Sequence, residues 1–190
     1  EDKGQERRLL DGVRIVSLAE QYPGPYATLV LADLGADVVQ VERPEGGDPA
    51  RQFPGFYAAI GRNKRSVTVD LKAEEGIEAF QRLVAASDVV IEGFRPGTVD
   101  RLGVGYEQAK AINPAIVYVS ISGYGQDGPY RQRPGHDLAY QAIAGLIAGG
   151  NGATAGTELQ IGDLAAGIFA VVAVALGLMH RAKTKAGLYV

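Results

Sequence analysis

One histidine and two aspartates carry the best prospects for chemistry in this chain. His136 sits in GHDLAYQAIAGL, Gly135 to Leu146, with Asp137 directly behind it. Asp163 sits in GDLAAGIFA, at the start of the most apolar stretch. An imidazole in a cleft can act as a general base. A carboxylate at the start of a helix can act as a nucleophile. Each has a plainer reading. A lone histidine is more often structural, and an Asp ahead of an apolar helix is most often its N-cap. A side chain committed to capping is a poor nucleophile, so the two readings of Asp163 compete. His180, at the end of the last apolar segment, reads as a partner of the helix dipole. Tyr124, Tyr130 and Tyr140 read as packing or rim residues.

Composition narrows the field. The 190 residues are 46% apolar and 22% charged, enough for one domain with a core. A net charge of -3 gives no reason to expect nucleic acid or an anionic membrane as partner. There is no cysteine, so disulfides and cysteine zinc sites are excluded. The two histidines lie far apart, and no metal site is assigned. Neither G-x-G-x-x-G nor G-x-x-x-x-G-K-[ST] occurs, so a nicotinamide dinucleotide site and a P-loop are unsupported. No stretch resembles a signal peptide, and a cytoplasmic location is expected. The apolar run Ile168 to Met179 is short for a membrane span and suits a buried helix.

The elements that must position these residues follow from periodicity. Strands are predicted at Val13 to Leu18, Asp37 to Pro44, Ser66 to Leu71, Asp88 to Phe94 and from Ala115 toward Gly125. Helices are predicted at Ala27 to Leu34, with Pro25 in the first turn, and at Ala73 to Ser87, Tyr106 to Ile112, Leu138 to Ala148 and Asp163 to His180. EGGDPARQFPGF reads as a polar loop, and GGNGATAGTELQIG as a loop between the last two helices. Alternating strands and helices predict an α/β fold, a mostly parallel sheet with helices on both faces. Ligands of such sheets bind beyond the carboxyl ends of the strands. AEQYPGP, ERPEGGD, EGFRPG and SGYGQDG are therefore the loops that matter.

Two of these regions are basic. GRNKRSVTVDLK carries Arg62, Lys64, Arg65 and Lys72, which suit a phosphorylated ligand or, as spacing alone favours, a solvated strand edge. EGFRPG offers backbone N–H groups, Arg95 and the wall of Phe94, or is a plain turn.

Taken in order, LLDGVRIVSLAEQYPGPYATLVLADLGADVVQVERPEGGD, GRNKRSVTVDLK, EGFRPGTVDRLGVGYEQAKAINPAIVYVSISGYGQDGPY and IGDLAAG resemble the family III CoA-transferases. The resemblance runs from Leu9 nearly to the end. It implies a Rossmann-like large domain of which residues 9–190 are the N-terminal part, with residues 1–8 a flexible start. The family adds a small domain and interlocks two chains, so a homodimer is expected of a full-length protein. It implies acyl-CoA and a carboxylic acid acceptor as substrates and no prosthetic group. CoA would be met by Arg43, Arg62, Lys64, Arg65, Leu71, Lys72, Gly93, Phe94, Arg95 and Arg101. The family usually has Asn where Gly93 stands, so that side-chain contact is lost. Asp163 matches the transferases' nucleophile. GHD is shared with the family's racemases, in which His136 and Asp163 would be an acid/base pair. YQAIAGL and IGD fit the transferases better. CoA transfer is the expectation, racemisation the alternative, and CoA binding without turnover a third reading.

Overall fold

The computed structural model describes residues 8–147 and 159–190. Its strands are β1 (Arg14–Ser17), β2 (Asp37–Glu42), β3 (Lys64–Thr68), β4 (Val89–Glu92), β5 (Val117–Ser120) and β6 (Leu188–Tyr189). Its helices are α1 (Pro23–Asp33), α2 (Pro54–Gly61), α3 (Glu74–Ala85), α4 (Thr98–Arg101), α5 (Tyr106–Ile112), α6 (Asp137–Ile143) and α7 (Ile161–Thr184), with a 3-10 turn at Pro49–Gln52. The strands form one sheet in the order β3-β2-β1-β4-β5-β6. Every pairing in it is parallel, as the strand–helix alternation predicts. The chain builds outward from β1 to β3, then returns through α3 to place β4 on the other side of β1. That reversal opens a crevice beyond the carboxyl ends of β1 and β4.

Two-residue periodicity sorts the strand side chains onto two faces. Ile15, Val38, Val89, Ile91, Val117 and Val119 meet Ala27 and Leu31 of α1 and Ala170 and Val174 of α7. Val16, Val41, Val90 and Tyr118 meet Phe80 and Val84 of α3 and Ala109 of α5. Each Val, Ile or Leu buried this way contributes about 2 kcal/mol relative to exposure. Two glycines let the crevice close up. A Cβ on Gly24 would lie 2.1 Å from the Ala19 Cβ, and one on Gly167 would lie 2.9 Å from the Pro23 carbonyl oxygen. The start of α1 therefore fits between the β1 loop and α7.

Several boundaries differ from the sequence reading. β3 begins at Lys64 rather than Ser66, because Lys64 pairs with Val38 and Thr68 with Glu42. The expected loop at 45–56 is largely helical. Asp48 accepts the Ala50 N–H at 2.8 Å, and Pro49 and Pro54 set the first turns behind it. α7 runs to Thr184 and ends on Lys185 with φ of 63°. His180 is therefore not at the helix end, and the last-turn cations are Arg181 and Lys183. Arg181 reaches Asp88 at 2.8 Å. At 24 residues, with a mean hydropathy of 2.2 over its most apolar 18, α7 is long and apolar enough to cross a membrane, which the shorter run Ile168 to Met179 did not suggest. Here its inner face packs on the sheet, while Phe169 stays 72% exposed. The expected flexible start lies outside the described residues except for Arg8, whose backbone N–H donates to Asp11 at 2.8 Å. Residues 148–158 of the expected glycine-rich loop also lie outside them.

Candidate active site

A cleft of about 920 Å³ opens at the switch point between β1 and β4. The β1 loop (18–24), the segment 49–56, the β4 loop (93–96), the β5 loop (121–124), residues 131–140 and the start of α7 line it. His136, Asp163, Gly93, Phe94 and Arg95 are all at this cleft.

Asp163 is in the first turn of α7 and 8% exposed. It does not cap its helix, because Asp137 does so from α6. Asp137 Oδ1 accepts the Asp163 N–H at 3.0 Å. Its other oxygen takes the amide of Gln141, which also donates to the Leu159 carbonyl at 3.0 Å. No described residue donates a hydrogen bond to the Asp163 carboxylate. Burial pushes its pKa up, the neighbouring Asp137 charge adds to this, and His136 partly opposes it. The result is a desolvated, uncommitted carboxylate at the positive end of a helix dipole. That combination suits a nucleophile better than a structural cap.

His136 is the residue before α6, and its side chain makes no capping bond. It is exposed to the cleft, not a core histidine. Tyr140 donates to the Gly135 carbonyl at 2.6 Å and stacks edge-on against Tyr124 at 5.2 Å. Burial, then the Asp163 charge, raises its pKa. The rim reading of Tyr124 and Tyr140 holds, since both line the cleft.

The loops are tied down by buried polar groups. Gln40 donates to the Ala19 carbonyl at 2.7 Å, and the Gln21 N–H donates to Asp48 at 3.0 Å. In the β4 loop the Phe94 N–H donates to the buried Glu92 at 2.7 Å. Glu42, at the end of β2, accepts from Arg51 at 2.6 and 2.7 Å, from the Asp48 N–H at 2.8 Å and from Ser66 at 2.5 Å. The Arg51 hydrogen bonds hold the Glu42 carboxyl at about 2, well below the usual carboxylate range. This hub fixes segment 48–57, which forms one wall of the cleft.

The remaining expected CoA contacts divide. Arg43 follows β2, donates to the Gly47 carbonyl at 2.9 Å and stands 3.9 Å from Glu20, a cleft residue. Leu71 packs against the second core face, and the Lys72 N–H donates to Asp70 at 3.0 Å. Arg101 reaches Thr98 at 3.1 Å. These follow the carboxyl ends of β2, β3 and β4, on the same edge of the sheet as the cleft. Arg62, Lys64 and Arg65 are turned elsewhere. Arg62 pairs with Asp33 and Arg65 with Asp37, each at 2.7 Å. Lys64 points inward, donating to the Pro25 carbonyl at 2.7 Å and to Thr28 at 2.8 Å, and burial pulls its pKa down to about 8. The structure does not bring these three to the cleft: the exposed pairs of Arg62 and Arg65 fit the plainer strand-edge reading, whereas Lys64 is half-buried against α1 and fits neither. The sequence reading gave no role to Tyr22, Phe53, Phe56, Arg131 or Arg133, which also line the cleft.

Comparison with known proteins bears on the fold and the family. A family model described as CoA-transferase family III matches residues 10–190. The chain is 39% identical to the succinyl-CoA–L-malate CoA-transferase alpha subunit of Chloroflexus aurantiacus, over 97% of this chain and 46% of that protein. It is 41% identical to the succinyl-CoA:glutarate CoA-transferase of Homo sapiens, over 95% of this chain and 44% of that protein. The crystal structure of a CAIB/BAIF family protein from Brucella suis superposes with a TM-score of 0.92 at 38% identity, over 97% of this chain and 53% of that one. The chain thus spans about half the length of the curated relatives it matches.

Proposed function

The chain belongs to CoA-transferase family III, and from that premise we propose that the protein moves CoA from an acyl-CoA thioester to a free carboxylic acid, with Asp163 as nucleophile. The Asp163 carboxylate attacks the thioester carbonyl. The tetrahedral adduct collapses to a mixed aspartyl–acyl anhydride and releases CoA thiolate. The thiolate attacks the aspartyl carbonyl, giving an aspartyl-CoA thioester and freeing the donor acid. The acceptor carboxylate then attacks that thioester, and the returning thiolate forms the new acyl-CoA and regenerates Asp163. One hard exchange becomes a series of easier acyl transfers.

The observation that carries this reading is the state of Asp163. It is buried in the cleft, and Asp137 has relieved it of the capping role. His136 and Tyr140 are proposed to stand beside the reacting carbonyl, and Arg95 on the path of the CoA; all three line the cleft. Arg43, Leu71, Lys72, Gly93, Phe94 and Arg101 are proposed to flank the nucleotide and pantetheine along the carboxyl edge of the sheet. Arg62, Lys64 and Arg65 are given no such role, because they stand just before or at the amino end of β3, away from the carboxyl edge that borders the cleft. The racemase reading is not carried further. The curated relatives are named as CoA-transferases, and IGD fits the transferase turn. The exposed apolar side of α7, with Phe169 and Leu176, supports burial against further polypeptide in the homodimer expected of the full-length protein.

The test uses full-length protein, acyl-CoA thioesters in D₂O and free acids, with products followed by mass spectrometry. New acyl-CoA that requires the acid and carries no α-deuterium supports transfer. Deuterium entering a 2-methylacyl-CoA without any acid contradicts it.

A further inference from the structure

The two walls of the cleft differ in chemistry. One, made by the β4 loop and residues 131–136, carries Arg95, Arg131 and Arg133. The other, made by the β1 loop and segment 49–56, is aromatic and apolar. On it Tyr22 packs edge-on against Tyr26 at 6.0 Å and against Phe56 at 5.3 Å. Phe56 is 37% exposed and Phe53 is 66% exposed, both at the cleft. The strip begins beside the nucleophile. Tyr26 lies under Gly167, one helical turn from Asp163, and the Asp163 charge contributes to raising the Tyr22 pKa after burial and Tyr26. Among the described residues no cation lines this wall, and its one carboxylate is Glu20.

We propose that the aromatic wall selects the acyl group, and that the preferred donor and acceptor acids are apolar, of aryl or medium-chain aliphatic character, without a second carboxylate. This rests on the transferase reading above. An acyl group joined at Asp163 and lying toward Tyr22 and Phe56 would bury apolar surface against the rings. A distal carboxylate laid there would lose its water and meet no lining cation, with Glu20 beside it and the one neighbouring guanidinium, Arg43, already 3.9 Å from Glu20. Arg95, Arg131 and Arg133 stand on the opposite side, where they can serve the phosphates of CoA. The Glu42 hub holds Phe53 and Phe56 in place by anchoring Asp48, Arg51 and Tyr57 on either side of them. The preference differs from the dicarboxylic substrates in the names of the relatives above.

The experiment measures kcat/KM for the full-length protein with acetyl-CoA as donor and phenylacetate, hexanoate, succinate and glutarate as acceptors. The apolar acids are expected to exceed the dicarboxylic acids by about tenfold or more. Phe53→Ser and Phe56→Ser should narrow that ratio, and Phe53→Arg should turn it toward succinate and glutarate. The ratio is read within each variant, so loss of folded protein scales both terms alike. A preference for the dicarboxylic acids, or a ratio unmoved by all three variants while exchange continues, overturns the selectivity and leaves the transferase reading standing. No exchange with any acid removes both.

Discussion

Asp137 and Asp163 stand on different helices, yet Asp137 Oδ1 accepts the backbone N–H of Asp163 at 3.0 Å. One acid does the structural work at the start of α7, and the other is left with a carboxylate to which no described residue donates. The same pairing puts a second negative charge beside Asp163 and helps to raise its pKa.

Asp163→Asn should abolish CoA transfer in the full-length protein while leaving CoA affinity close to wild type. It should also raise the melting temperature by a few degrees at neutral pH. The sign follows from the raised pKa. A carboxyl whose folded pKa is raised favours the fold below its unfolded pKa and loses that contribution as pH rises through the folded pKa. At pH 7 the ionised, desolvated Asp163 is therefore a cost that Asn removes. Calorimetry and equilibrium CoA binding check both parts.

Asp137→Asn should move the acid limb of the kcat/KM profile to lower pH. Removing the neighbouring charge lets Asp163 ionise more readily, while the Asn oxygen can still accept the Asp163 N–H. Asp137→Ala removes the cap as well and should destabilise by about 1 kcal/mol. An unchanged pH profile in the Asn variant would show that Asp137 does not tune Asp163.

Glu42→Gln should destabilise the domain by about 2 kcal/mol, because it removes the charge that the buried carboxylate presents to the partly exposed Arg51. In the wild type, the Glu42 contribution is fully present above its unfolded pKa near 4.5 and is lost as pH falls toward about 2. Acid unfolding of wild type and variant should therefore converge over that window. Parallel curves would contradict the assignment.

Gly24→Ala should cost about 1–3 kcal/mol. Its Cβ would lie 2.1 Å from the Ala19 Cβ, so the β1 loop and the start of α1 must separate. Because both line the cleft, kcat/KM should fall together with stability. Denaturant melts and exchange assays read the two effects.

Much of this was legible in the sequence because the signals are local. Strand–helix alternation gave the parallel sheet, and strand ends pointed to the loops around Phe94 and Arg95. The "GD" turn singled out Asp163. What was hidden depends on contacts far apart in the chain. The rescue of Asp163 from capping comes from a residue 26 positions away. Arg62, Lys64 and Arg65 suited a phosphorylated ligand by type, but Asp33 and Pro25 on α1 and Asp37 on β2 meet them only in the folded chain. Segment 49–56 read as a polar loop because its two prolines and Asp48 start short helices that periodicity over so few residues does not reveal. The aromatic wall went unseen for the same reason.

The most direct measurement is of the covalent intermediate. Full-length protein is mixed with an acyl-CoA and no acceptor, quenched in acid, digested and analysed by mass spectrometry, with borohydride reduction as a second label for the thioester. The account predicts a CoA adduct on the peptide carrying Asp163, absent in Asp163→Asn. Turnover retained in Asp163→Asn, or an adduct on another residue, would contradict it.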